Sequence, residues 1–120
     1  MRILIVDDSK AMRMIVQRAL RQAGYGDHVL EEATNGQEGL DLVRKNKPDL
    51  VLSDWNMPVL SGIDFLKALR AEGNGVLFGF VTSEGTPEMN QLARESGAAF
   101  LIAKPFTADT LKSELGQLLA

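Results

Sequence analysis

The chain has 120 residues, 45% of them apolar, enough for one core burying roughly two-thirds of the unfolded surface; a single domain over residues 1–120 is expected. Thirteen Lys and Arg against sixteen Asp and Glu give a net charge of −3, and no block of like charges offers an arm for nucleic acid or a membrane surface. The absence of cysteine excludes a disulfide framework, a thiolate zinc site and cysteine catalysis, and a cytoplasmic location is the expectation.

The first predicted strand, Ile3 to Val6, stops at Asp7-Asp8. It is too short for a signal-peptide core, and no apolar run approaches the roughly 18 residues of a membrane span. Met12, Ile15, Val16, Ala19, Leu20 and Ala23 then recur at i, i+3 and i+4, one buried helical stripe, with Gly24 as its stop. A weak second strand, His28 to Ala33, precedes a helix that opens at Asn35 with Glu38 three residues on, a capping-box pattern, and buries Leu40 and Val43 before Pro48. The third strand is Asp49 to Ser53, and its helix carries Ile63, Leu66 and Leu69 after Gly62. The fourth strand, Val76 to Thr82, leads to a helix capped by Thr86, with Pro87 at its first position and its end at Gly97. Phe100 to Ala103 is the fifth strand; the last helix starts near Thr107 and turns Leu111, Leu115 and Leu118 inward.

Five strands alternating with five helices, the strands mostly unbroken apolar runs, predict a doubly wound α/β fold with a five-stranded parallel sheet covered on both faces. In such sheets the working surface lies beyond the carboxyl ends of the strands. The residues there are Asp7-Asp8, Asp54, Thr82-Ser83 and Lys104-Pro105, while the second strand ends blandly in Ala33-Thr34. Singly these are weak signals. Eight aspartates in the chain make about half an Asp-Asp pair expected by chance, and Asp8 or Ser9 could simply cap the first helix. Lys47-Pro48 repeats the dipeptide Lys104-Pro105 but sits at the entrance of a strand, so the dipeptide carries meaning only through its position.

Convergence is the stronger signal. At roughly 5 Å and an effective dielectric near 20, two carboxylates repel by about 3 kcal/mol, so three in one crevice require positive charge. Lys104 offsets part of it; the all-oxygen donor set suits hard Mg²⁺, with Mn²⁺ as an alternative. A carboxylate beside such an ion and an ammonium can attack phosphorus and form an acyl phosphate. Asp54, at the end of the central strand, is the expected nucleophile, with Asp8 as main metal ligand and Asp7 as supporting acid. Lys104 and the Thr82 hydroxyl are assigned to phosphoryl oxygens.

Val6-Asp7-Asp8-Ser9, Ser53-Asp54-Trp55-Asn56-Met57-Pro58, Val81-Thr82-Ser83 and Lys104-Pro105-Phe106 together resemble the receiver (response-regulator) domain of two-component signalling, over the whole chain. The stretch Ser53 to Pro58 is most similar to stand-alone chemotaxis receivers of the CheY type. The resemblance implies a flavodoxin/CheY-like strand order 2-1-3-4-5 and a cis peptide before Pro105. It further implies phosphoryl transfer to Asp54 from the phosphohistidine of a histidine kinase, and Mg²⁺ held by Asp8, Asp54 and the backbone carbonyl of Asn56. Such a protein catalyses its own phosphorylation and dephosphorylation yet is a signalling protein rather than an enzyme.

One position departs from the family. Receivers usually carry Tyr or Phe three residues before the lysine, and here that residue is Leu101. Phe100 points to the opposite face of its strand. Gly79 and Gly85 flank Thr82 and offer looseness, or else close packing and a turn. Trp55 and Met57 read as packing or as a partly exposed contact, Asn56 and Glu84 flank the path of an attacking water, and His28 lies far from the crevice. With no output module after the fifth helix, the expected output is phosphorylation-gated binding of a downstream protein on the face made by the fourth helix, fifth strand and fifth helix. A phosphatase is a further expected partner, the expected state is a monomer, and nucleic acid and membrane are not expected.

Four other readings share parts of this pattern. A phosphorelay shuttle or phosphate sink, or a phosphorylation-independent scaffold, would carry the same motifs. A flavodoxin-like carrier would want a Ser/Thr/Gly-rich loop where Asp7-Asp8 would repel an FMN phosphate. A metal-dependent phosphatase would want Asp-x-Asp where the chain has Asp7-Asp8-Ser9.

Overall fold

The computed structural model describes residues 1–119. Strands β1 (Arg2–Val6), β2 (Val29–Ala33), β3 (Leu50–Ser53), β4 (Leu77–Thr82) and β5 (Phe100–Ala103) alternate with helices α1 (Lys10–Leu20), α2 (Gly36–Asn46), α3 (Gly62–Ala71), α4 (Pro87–Glu95) and α5 (Ala108–Leu119). All four strand pairings are parallel, and the order is β2-β1-β3-β4-β5. No helix among the described residues is long and apolar enough to cross a membrane.

Because a strand alternates its side chains, each central strand feeds two cores. Leu4, Val6, Val51, Phe78 and Phe80 meet Leu40 and Val43 of α2, Phe65, Leu66 and Leu69 of α3, and Ala93 of α4. Ile3, Ile5, Leu50, Leu52, Val81, Phe100 and Ile102 meet Val16 and Leu20 of α1 and Leu111 and Leu115 of α5. The edge strand β2 is only partly covered, which is why its apolar signal is weak.

Caps fall where short polar side chains precede apolar periodicity. Ser9 Oγ accepts from the Met12 amide, Asn35 Oδ1 from Glu38, Ser61 Oγ from Asp64 and Thr86 Oγ1 from Met89. The Glu38 carboxylate takes the Thr34 hydroxyl at 2.9 Å, so the box at α2 closes through Thr34 rather than through Asn35. Helix α1 passes directly into a π-helical turn over Arg21–Tyr25, inside which Gly24 adopts φ 98°. The glycine ends the segment by accepting a backbone that a Cβ disfavours.

One expectation is corrected and one alternative is decided. Ile15 is 46% exposed, because it borders a groove with Lys104, Pro105 and Phe106 instead of packing into the core. Leu118 is half-buried and packs against the core as expected. Of the two readings of Gly79, close packing holds: a Cβ there would collide with the ring of Phe100, so the missing side chain admits an aromatic ring.

Candidate functional site

The sheet register aligns Val6 with Ala33 and Ser53, and Thr82 with Ala103. The ladder continues one residue further: the Asp7 amide donates to Ala33 O, Asp54 to Val6 O and Lys104 to Thr82 O. The residues that leave β1, β3 and β5 therefore emerge side by side, at the place expected for chemistry in a parallel sheet. One carboxylate oxygen each from Asp7, Asp8 and Asp54 lies within 4.8 Å of the others.

These carboxylates are held differently. Asp7 is 3% exposed; its Oδ1 accepts the Ser9 amide at 2.9 Å and its Oδ2 the Lys104 ammonium at 3.0 Å. Asp54 is half-buried, its Oδ1 accepts the Trp55 amide at 2.8 Å, and its Oδ2 lies 3.8 Å from Lys104 Nζ. Asp8 is exposed. Burial pushes the Asp54 carboxyl above its ordinary value; the Lys104 ammonium opposes this, the Asp7 charge adds to it, and the Trp55 amide and Thr82 hydroxyl favour the ionised form.

The remaining side chains line the crevice. Thr82 is fully buried, and its hydroxyl accepts the Glu84 amide at 3.4 Å. Asn56 is exposed and its Nδ2 donates to Glu84 Oε1 at 3.4 Å, spanning the two loops beside the crevice. Trp55 is half-buried and stacks on Phe80 with centroids 4.8 Å apart; Met57 is half-buried against the same core. Leu101 also packs there, whereas Phe100 belongs to the opposite core. The peptide before Pro105 is cis. His28 sits just before β2, with Nδ1 3.0 Å from the Met1 amino group, away from the crevice.

The loop after β3 is clamped by glycines. The Gly62 amide donates to Trp55 O at 2.7 Å, and a Cβ on Gly62 would collide with the Asp54 carbonyl oxygen. The Gly36 amide donates to Leu60 O at 3.1 Å, and a Cβ there would also collide with the chain. Between these clamps Val59 adopts φ 69°, unusual for a β-branched residue, across a Leu60 amide to Pro58 carbonyl bond of 2.7 Å.

Two features escaped the sequence reading. Arg13 on α1 donates from Nη1 to the Asp7 carbonyl at 2.7 Å and from Nε to Glu32 at 3.0 Å. A groove of about 360 Å³ beside Lys104 is lined by Met12, Ile15, Ser83, Lys104, Pro105 and Phe106. Met12 and Ile15 carry the core period of α1, so nothing in the sequence separates them from its buried face. An arginine three positions inside a helix reads as a solvated cation unless its partner on β2 is known.

The donor set fits a divalent cation of the magnesium class. Every clustered ligand atom is a carboxylate oxygen, and the Lys104 ammonium pairs with Asp7 and Asp54 but not with Asp8, leaving net negative charge for a hard ion to neutralise.

The family described as response regulator receiver domain matches residues 3–116. The chain is 41% identical over 122 residues to the chemotaxis protein CheY-3 of Vibrio cholerae, covering 98% of this chain and 91% of that protein. It is 38% identical to a chemotaxis protein CheY homolog of Campylobacter jejuni, over 99% of this chain and 92% of the relative. The solved structure of the chemotaxis response regulator CheY4 of Vibrio cholerae superposes with a TM-score of 0.84 at 34% identity, covering 98% of this chain and 97% of the other.

Proposed function

The chain belongs to the response regulator receiver domain family, and from that premise we propose that it is a Mg²⁺-dependent phosphoacceptor in which Asp54 receives a phosphoryl group from a histidine kinase. The observation that carries this reading is the clustering of three carboxylates, two of them paired with the Lys104 ammonium, at the ends of β1, β3 and β5.

In the transfer, an Asp54 carboxylate oxygen attacks phosphorus, the new O–P bond makes an acyl phosphate, and the P–N bond to the donor imidazole breaks. Asp54 has to be ionised for this, and the nearby Lys104 charge favours that form. Lys104 also has the charge and reach to hold a phosphoryl oxygen, and the Thr82 hydroxyl can donate to another. Such transfer is mostly positioning and charge stabilisation. Asp8, Asp54 and the Asn56 carbonyl would hold the Mg²⁺ or Mn²⁺, with Asp7 anchoring Lys104 beside them. When bound, the ion supplies neutralisation of the phosphoryl oxygens.

The apolar groove of Met12, Ile15, Pro105 and Phe106 adjoins this site, and it is the surface we assign to the phosphodonor. Phosphorylation adds nearly two negative charges. The loop after Thr82 lies against β5: a Cβ on Gly85 would crowd Ala103 and reach Leu101. That contact supports output through α4, β5 and α5, gating the binding of a downstream protein in the cytoplasm, with chemotaxis the setting suggested by the names of its relatives. A phosphatase would act at the Asn56 and Glu84 side, and the protein is a signalling component rather than a turnover enzyme.

Incubation with Mg²⁺ and a small acyl or amido phosphate should add one phosphoryl mass to the chain and none to Asp54→Asn. Equal labelling of both proteins would overturn the assignment.

A further inference from the structure

Asp8 carries no restraint of its own. Among the described residues its carboxylate enters no ion pair with Lys, Arg or His, and no hydrogen bond fixes it, yet one of its oxygens sits within 4.8 Å of those of Asp7 and Asp54. For an exposed side chain with no partner, the backbone fixes the direction of the Cα–Cβ bond and thereby which staggered rotamers reach the crevice. That backbone is the peptide unit joining Asp7 to Asp8, whose carbonyl oxygen accepts Arg13 Nη1 at 2.7 Å.

Every other polar group of Asp7 is engaged as well. Its amide is bonded to Ala33 O at 3.1 Å, and its two carboxylate oxygens to Ser9 and Lys104. The Arg13 side chain is 11% exposed, and its Nε is fixed by Glu32 near the end of β2. A planar guanidinium engaged on two edges has little freedom to turn. The fork thus ties the turn between β1 and α1 to the edge strand and sets the plane of the Asp7–Asp8 peptide.

We infer that Arg13 is a positioning residue for the cation site, aiming Asp8 by holding the Asp7 carbonyl while Glu32 holds Arg13. The inference rests on the reading of the crevice as a divalent-cation site. It assigns Arg13 no contact with the ion or with a phosphoryl group. Groups that orient a ligand without touching the ion typically change affinity by about 10–100-fold when removed.

The test is titration of the full chain with Mg²⁺ alone, followed by calorimetry and by emission of Trp55, the one tryptophan, whose amide is bonded to Asp54. Arg13→Gln should raise the Mg²⁺ dissociation constant about tenfold, and Glu32→Gln should raise it less. Arg70 serves as the control: its guanidinium donates to the carbonyls of Asn74, Val76 and Gly97 at the opposite end of the sheet. Arg70→Gln should lower the unfolding temperature and leave the Mg²⁺ affinity unchanged, a separation that a purely structural role for Arg13 would not give. Should Arg13→Gln fail to fold, Arg13→Lys answers the same question, because it keeps the charge and loses the planar fork that engages Glu32 from Nε and the Asp7 carbonyl from Nη1. Unaltered Mg²⁺ affinity in either folded variant overturns the inference and leaves the phosphoacceptor reading standing. A wild-type chain that binds no Mg²⁺ overturns both.

Discussion

The two ends of the sheet hold the same kinds of side chain in opposite balance. At the amino ends, charge is matched: Arg2 pairs with Glu31 at 3.2 Å, the Arg2 amide donates to Asp49 at 2.7 Å, and Arg44 of α2 pairs with Glu72 just after α3. At the carboxyl ends, three carboxylates cluster and one ammonium pairs with only two of them, Asp7 and Asp54. The two Lys-Pro dipeptides make the contrast sharpest. Lys47 is exposed with a left-handed φ of 49°, while the side chain of Lys104 is 12% exposed and lies against two aspartates. Chain chemistry alone does not distinguish them; topology does, and the unbalanced end is the one to which we assign the phosphoacceptor site.

Removing each lysine tests that contrast most strongly. Lys104→Met strands the buried Asp7 charge, so unfolding in urea should show a loss of about 3 kcal/mol or more. Lys47→Met should leave the midpoint unchanged, and equal effects would break the comparison.

Glycines give a second pair. Gly62→Ala forces a methyl onto the Asp54 carbonyl and should cost about 2 kcal/mol together with most phosphoryl labelling. Gly75, at the amino end of β4, has nothing within 4 Å of a would-be Cβ; Gly75→Ala should be neutral or stabilising by about 0.5 kcal/mol. A smaller effect belongs to Thr82. Losing one hydroxyl donor, about 1.4 kcal/mol at most, should slow labelling of Thr82→Ala by about tenfold in intact-mass time courses, with Mg²⁺ affinity nearly kept.

The sheet and its faces were legible because apolar runs and helical stripes are written locally: Phe100 to Ala103 coincides with β5, and Asn35, Thr86 and Pro87 mark real helix starts. The clustering of Asp7, Asp8, Asp54, Thr82 and Lys104 was legible once the parallel topology was inferred, since strand ends then converge. What stayed hidden depends on partners distant in sequence. Ile15 has a core period but borders a groove, Gly79 needed the ring of Phe100 to explain it, and Arg13 acquires meaning only through Glu32 and the Asp7 carbonyl. The strained φ of Val59 lies between two glycine clamps that no local pattern announces.

Crowded carboxylates at the carboxyl ends are the central claim, and thermal unfolding with and without Mg²⁺ tests it most directly. Burial and the Asp7 charge raise the Asp54 carboxyl above its ordinary value in the fold. Its ionised form is therefore disfavoured there, and stability is lost as pH rises from the ordinary carboxylate range through the raised value. At neutral pH without Mg²⁺, Asp54→Asn should melt above the wild type, and the gap should close as pH falls below that range. Added Mg²⁺ should raise the wild-type midpoint and raise that of Asp54→Asn much less. A variant that melts no higher than the wild type, with both proteins responding equally to Mg²⁺, would contradict the account.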